Sequence, residues 1–112
     1  MILTVLIAII WIHFIADFLL QPDEMGIMKS KNNVVLGIHA LVYSMPFVCV
    51  GIKYALFNCV AHFVVDWLSS RTTTYFFERK KRHWFFVTIG ADQAVHMTVL
   101  FLSLNWFTAW KI

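Results

Sequence analysis

Four apolar runs separated by short polar breaks take up most of this 112-residue chain, and they leave few folds open. The first covers residues 2–20 and is ended by Gln21-Pro22-Asp23, since proline disfavours helical geometry in the residue before it. The second covers residues 34–50, with a kink expected at Pro46. Residues 54–70 form a short third run, and residues 84–110 a fourth that is long enough to tilt. A bilayer core about 30 Å thick is crossed by about 20 largely apolar helical residues. Only residues 51–53 separate the second run from the third, which fits a tight helical hairpin better than a soluble loop. The expected fold is all-α, an integral membrane four-helix bundle, with residues 1–112 as a single transmembrane domain.

Composition supports this by exclusion. Hydrophobic residues make up 61% of the chain and charged residues 13%, about half the roughly 25% of a soluble domain. The nine Lys and Arg sit at the ends of the apolar runs rather than along one face, so no nucleic-acid partner is expected. Cys49 and Cys59 lie within apolar runs without a CxxC spacing and read as buried free thiols. The first run has no Lys or Arg before Lys29, unlike a signal peptide, and reads as a retained span. Seven basic residues (Lys29, Lys31, Arg71, Arg79, Lys80, Lys81, Arg82) fall in the first and third breaks, against Lys53 and Lys111 on the other side. Positive residues stay inside, so the expected location is the bacterial inner (cytoplasmic) membrane, multi-pass, with both termini outside.

Three carboxylates contradict the apolar pattern. Asp17, Asp66 and Asp92 lie within the runs, where an aspartate at a helix centre costs about 2.5–3.5 kcal/mol. Each has a histidine four residues away, in the pairs His13/Asp17, His62/Asp66 and Asp92/His96. That spacing puts both members on one helix face. With His39 of the second run, all these groups fall toward the cytoplasmic ends of their helices, at heights differing by about 11 Å. One polar cluster can therefore form from four helices.

His13, Asp17, His39, His62, Asp66, Asp92 and His96 make an N/O ligand set suited to one or two divalent ions, with Zn, Mn or Fe as candidates. Gln21 and Gln93 are placed to orient ligands or a catalytic water, and Asp17 or Asp92 to act as general base. Lys29, Lys31, Arg82 and His83 stand at the mouth and are candidates for holding an anionic headgroup. Two other readings remain beside the metal. The pairs can lock helices through hydrogen bonds alone, or form a proton or cation pathway, as a bacterial or phage membrane protein without enzymatic activity would use them.

The blocks HFIADFLLQ (13–21), MGIMKSKN (25–32), GIHALVY (37–43), HFVVDW (62–67) and KRHWFFVTIGADQAVH (81–96) resemble a small bacterial and phage membrane-protein family defined only as a domain of unknown function. The resemblance covers nearly the whole chain and implies a bacterial or phage source. A weaker likeness connects the same His and Asp motifs to membrane-bound metal-dependent hydrolases of bacteria. Together they lead to an expected intramembrane metal-dependent hydrolase. Its substrate would be an anionic amphiphile of phospholipid or polyprenyl phosphate type, taken from the cytoplasmic leaflet. The lipid bilayer is the expected partner, with a homo-oligomer compatible with the small size.

Overall fold

The computed structural model describes all 112 residues, as five α-helices and no strands. Helix α1 (Ile2–Phe14) continues without a break into a π-helical turn, Ile15–Leu19, closed by the Leu20 N–H donating to Ile15 O at 2.9 Å, five residues back. Such turns recur at functional sites, and this one carries the buried Asp17. Pro22 then stops the helix and opens the short α2 (Asp23–Met28), whose first turn holds Asp23 and Glu24 where the helix dipole favours them. Asn32 caps α3 (Asn33–Ser44) by accepting from the N–H groups of Val34 and Val35. At Pro46 the helix tightens into a 3-10 turn, Met45–Cys49, the irregularity expected of a proline that removes a donor.

The last two helices are the longest, α4 (Ile52–Glu78, 27 residues) and α5 (Arg82–Phe107, 26 residues), and they pack against each other more extensively than any other pair. Between them the chain reverses at residues 79–81. Lys80 adopts a left-handed conformation (φ 56°), with Lys81 N–H donating to Phe76 O and Lys80 N–H to Phe77 O. This is the Schellman ending, here built on lysine rather than glycine.

Two expectations need correction at this level. The third apolar run ends near Ser70, but α4 continues to Glu78, so Arg71 and the threonines beyond it are helical rather than part of a loop. No glycine or proline intervenes there, and the hydroxyls of Thr72, Thr73 and Thr74 each donate to a carbonyl three or four residues back. A hydropathy boundary marks where the apolar surface ends, not where the backbone stops being helical. The cysteines are free, but Cys49 is exposed, its Sγ donating to Pro46 O within its own turn, and Cys59 is half-buried.

Along α4, inside and outside are inverted relative to a helix of a soluble protein. Leu56, Val60, Val64 and Leu68 recur every fourth residue and are each more than 60% exposed. Asn58, His62, Asp66 and Ser70 recur with the same spacing and are each buried to within 6%. The helix therefore turns its polar stripe inward. At the end of the molecule near Gly51 the interior is apolar, formed by Ile9, Phe47, Leu100 and Leu104 around Tyr43 and Tyr54. Two stretches, Ile2–Leu19 and Arg82–Phe107, are long and apolar enough to cross a membrane, and Asn33–Cys49 is apolar but shorter.

Candidate metal centre

Four elements converge on one polar interior. The π-turn supplies Asp17, α3 supplies His39, α4 supplies His62 and Asp66, and α5 supplies Asp92 and His96. All but Asp92 are buried, and Asp92 borders a cavity of about 190 Å³ that also reaches Asp17 and Asp66.

The contacts have two halves. In one, His39 Nε2 lies 3.0 Å from His62 Nε2, 3.1 Å from Asp17 Oδ1 and 3.4 Å from Asp66 Oδ2. His62 Nε2 lies 3.6 Å from each of the same two oxygens. Donor atoms bound to one metal at about 2.0–2.2 Å with tetrahedral angles lie about 3.4 Å apart. In the other half, His96 Nε2 lies 3.1 Å from Asp92 Oδ1 and 3.6 Å from Asp66 Oδ1. Asp66 thus turns one oxygen to each half, the arrangement of a carboxylate able to serve two adjacent sites.

Three groups offer ligand atoms within 4.8 Å of one another: Asp17/His39/His62, His62/Asp66/His96 and Asp17/Asp92/His96. Each pair of groups shares a residue, so they form one continuous cluster able to hold a metal ion. The hydrogen bonding fits that reading. Two Nε2 atoms facing each other at 3.0 Å cannot both carry protons, so at most one of the two rings can donate to the carboxylate oxygens they touch. His96 Nε2 is buried with no hydrogen-bond partner, and so are the Nδ1 atoms of His39 and His62. Buried polar atoms left unpaired are rare enough to require explanation, and a cation among the carboxylates supplies one for His96 Nε2.

The rings are also held in place. His62 is stacked between Tyr43, at 3.8 Å between centroids, and His96, at 4.2 Å. Tyr43 O–H also meets His13 Nδ1 at 2.9 Å, and His13 Nε2 meets Gln93 Oε1 at 2.6 Å. Gln93 in turn donates to Asp92 Oδ2 at 3.0 Å and to Asp17 Oδ2 at 3.4 Å. Ser69 O–H donates to Asp92 Oδ1 at 2.6 Å. This chain of bonds aims two carboxylates at the cluster.

Of the residues singled out by sequence, the structure brings Asp17, His39, His62, Asp66, Asp92 and His96 together. His13 stands apart from the three groups, since both its ring nitrogens are engaged by Tyr43 and Gln93. Gln21 reaches the cavity, with its Oε1 buried and unpartnered. Lys29 goes deeper than a headgroup contact would, its Nζ 2.8 Å from Asp66 Oδ2. Lys31, Arg82 and His83 are exposed and outside the cluster. Sequence reasoning passed over Tyr43, Ser69 and Ser70. Tyr43 follows His39 by four residues and Ser70 follows Asp66 by four, so the spacing that marked the His/Asp pairs marks them as well.

Fold and site together define an all-helical protein, with two helices able to span a membrane and a buried His/Asp cluster able to hold a metal ion. The chain belongs to the family described as Protein of unknown function (DUF3307), which matches it over residues 5–111. Comparison with curated proteins and with solved structures gives no match.

Proposed function

We propose that this protein is a multi-pass membrane metalloprotein of the bacterial cytoplasmic membrane, crossing as four helices (α1 with its π-turn, α3 with its 3-10 turn, α4 and α5). In this reading it hydrolyses an ester of an anionic amphiphile, of phospholipid or polyprenyl phosphate type. The observation that carries the proposal is the convergence of His39 Nε2, His62 Nε2, Asp17 Oδ1 and Asp66 Oδ2 at metal-ligand spacing, with His96 Nε2 left unpaired beside them.

The inverted α4 supports a lipid surroundings, since its leucines and valines face outward while its carboxylate faces in. The cavity beside the cluster opens at the end of the molecule that carries Lys29 and Lys31, the positive end that belongs on the cytoplasmic side. At the opposite end the apolar packing of Ile9, Phe47, Leu100 and Leu104 closes the interior, which favours a site with one entrance over a pathway through the membrane.

One or two ions of Zn, Mn or Fe would be held by His39, His62, His96, Asp17 and Asp66, and would supply Lewis acidity toward a substrate oxygen together with an acidified water. Asp92 borders the cavity and is the carboxylate best placed to take a proton there. Ser69 and Gln93 hold it by donating to Oδ1 and Oδ2 respectively. His13 and Tyr43 keep Gln93 turned so that its amide N–H faces the carboxylates.

The test is elemental analysis of detergent-purified protein against an Asp66→Ala, His62→Ala double variant that remains monodisperse. Stoichiometric divalent metal in the wild type and its loss in the variant is the expected result. Wild-type protein that holds no metal after reconstitution with Zn, Mn or Fe would overturn the proposal and leave a hydrogen-bonded network in its place.

A further inference from the structure

Between the His/Asp cluster and the outside lie two adjoining cavities, and the side chains shared by both are Lys29, Ser70 and Thr73. The inner cavity, about 190 Å³, borders Asp17, Asp66 and Asp92. The outer one, about 370 Å³, has Lys31, Ser30 and Thr74 in its wall and Glu78 as its carboxylate. An approaching ligand thus moves from a cationic compartment rich in hydroxyls to one lined by three carboxylates. The donors at the junction are specific. Ser70 lines both cavities, and its Oγ is buried with no hydrogen-bond partner. Lys29 Nζ donates to Asp66 Oδ2 at 2.8 Å and has two further N–H groups. Thr73, by contrast, has already given its hydroxyl proton to Ser70 O at 2.9 Å and contributes shape rather than a donor.

The geometry points to a phosphate-binding subsite at this junction, in which Lys29 Nζ and Ser70 O–H donate to the oxyanion of a phosphate ester lying beside the metal cluster. An ammonium and a hydroxyl are the donors such an oxyanion needs, and Ser70 is otherwise a buried donor without an acceptor. Lys29 Nζ and a divalent cation held by Asp66 would share Oδ2, so metal loading would leave more of the ammonium free for the phosphate. The outer cavity in turn adjoins, through Phe77, Glu78 and Phe85, a larger apolar hollow of about 700 Å³ that Lys80, Lys81 and Arg82 border. A chain attached to the phosphate has an apolar path there, and Arg82 finds its place at the far end of that path rather than at the metal. The inference deepens the hydrolase reading and rests on it for the position of the ester, but phosphate binding is measurable without it.

The experiment is titration of purified protein in neutral detergent with inorganic phosphate, followed by calorimetry, and of protein in phosphatidylcholine nanodiscs with and without phosphatidic acid. The wild type is expected to bind, with Ser70→Ala and Lys29→Met each weakening binding by about tenfold or more, the loss expected for a hydrogen bond to a charged group. Thr73→Val is expected to stay within about twofold because it removes no free donor. Binding of inorganic phosphate identifies free phosphate as sufficient, whereas binding only in phosphatidic acid nanodiscs identifies a lipid-borne phosphate; either supports the subsite. Equal binding by wild type and Ser70→Ala, or no binding in both arms, overturns it. Metal content is read on the same samples. If metal is bound while Ser70→Ala changes nothing, the subsite falls and the metalloprotein stands. If phosphate binding depends on Ser70 but no metal is held, the subsite stands and the hydrolase reading falls.

Discussion

Two buried polar regions lie along the α4/α5 contact, and they are built differently. Toward the Gly51 end, Asn58 Nδ2 donates to Tyr54 O and to Ser103 Oγ, both at 3.0 Å. Ser103 donates to Leu100 O at 3.2 Å and Tyr54 O–H to the same carbonyl at 2.9 Å. None of these side chains leaves a buried atom unpaired. Two turns along α4 the His/Asp cluster has more charge and more hydrogen-bonding capacity, yet it leaves His96 Nε2 buried and unpaired within 3.6 Å of two carboxylates. A network whose purpose is to hold helices together satisfies its members, as the Asn58 region does. The cluster is comparably buried but draws on the π-turn and α3 as well as α4 and α5, and brings an excess of acceptors to one place. The contrast between neighbours argues for a cation more strongly than either region does alone.

Loading and stripping the cluster with a divalent cation is the largest way to break that contrast. Thermal unfolding in detergent with excess Zn or Mn, compared with chelated protein, is expected to differ by about 2.7 kcal/mol when the metal stands at a hundred times its dissociation constant. An unchanged transition would put the cluster in the same category as the Asn58 region. The complementary perturbation is Asn58→Ala. It is expected to cost about 1–2 kcal/mol of stability through the lost bonds to Tyr54 O and Ser103 Oγ, with metal stoichiometry unaltered. Loss of metal in Asn58→Ala, measured by elemental analysis on folded protein, would show that the two regions are one unit.

Much of this was legible in the chain, for reasons that can be traced. The breaks at Pro22 and Pro46 follow from a ring that lacks an N–H, and the structure ends or tightens its helices there. The pairing of Asp66 with His62 and of Asp92 with His96 follows from helical periodicity, so the ligand face could be read before any helix was packed. What the sequence hid depends on contacts between helices. Whether His13 points its nitrogens at the cluster or at Tyr43 and Gln93 is decided by neighbours 30 and 80 residues away. Lys29 looked like a loop cation because α2 has too few apolar residues to stand out as an element, and only that short helix carries the lysine inward to Asp66. The extent of α4 was hidden by its composition, since helical residues 71–78 are polar.

The finest test of the contrast concerns a residue that belongs to both regions. Tyr43 is part of the apolar core beside Phe47 and Tyr54, while its hydroxyl binds His13 Nδ1 and its ring stacks on His62. Tyr43→Phe keeps the ring and removes only the hydroxyl, so the stacking on His62 and the packing against Phe47 are retained. The hydroxyl acts on the cluster at a distance, since it fixes the His13 ring, which fixes the Gln93 amide, which donates to Asp17 and Asp92. Loss of such an orienting bond lowers metal affinity by about tenfold, the low end for groups that position ligands without touching the metal. The expected outcome for Tyr43→Phe is therefore full stoichiometry at saturating metal with a dissociation constant raised by about that factor, measured by competition with a chromogenic chelator. His13→Gln, which disturbs two bonds of the chain instead of one, should weaken affinity further. If Tyr43→Phe lowered stability but left metal affinity unchanged, Tyr43 would belong to the packed core alone, and the boundary between the two regions would lie at His13 rather than inside the tyrosine ring.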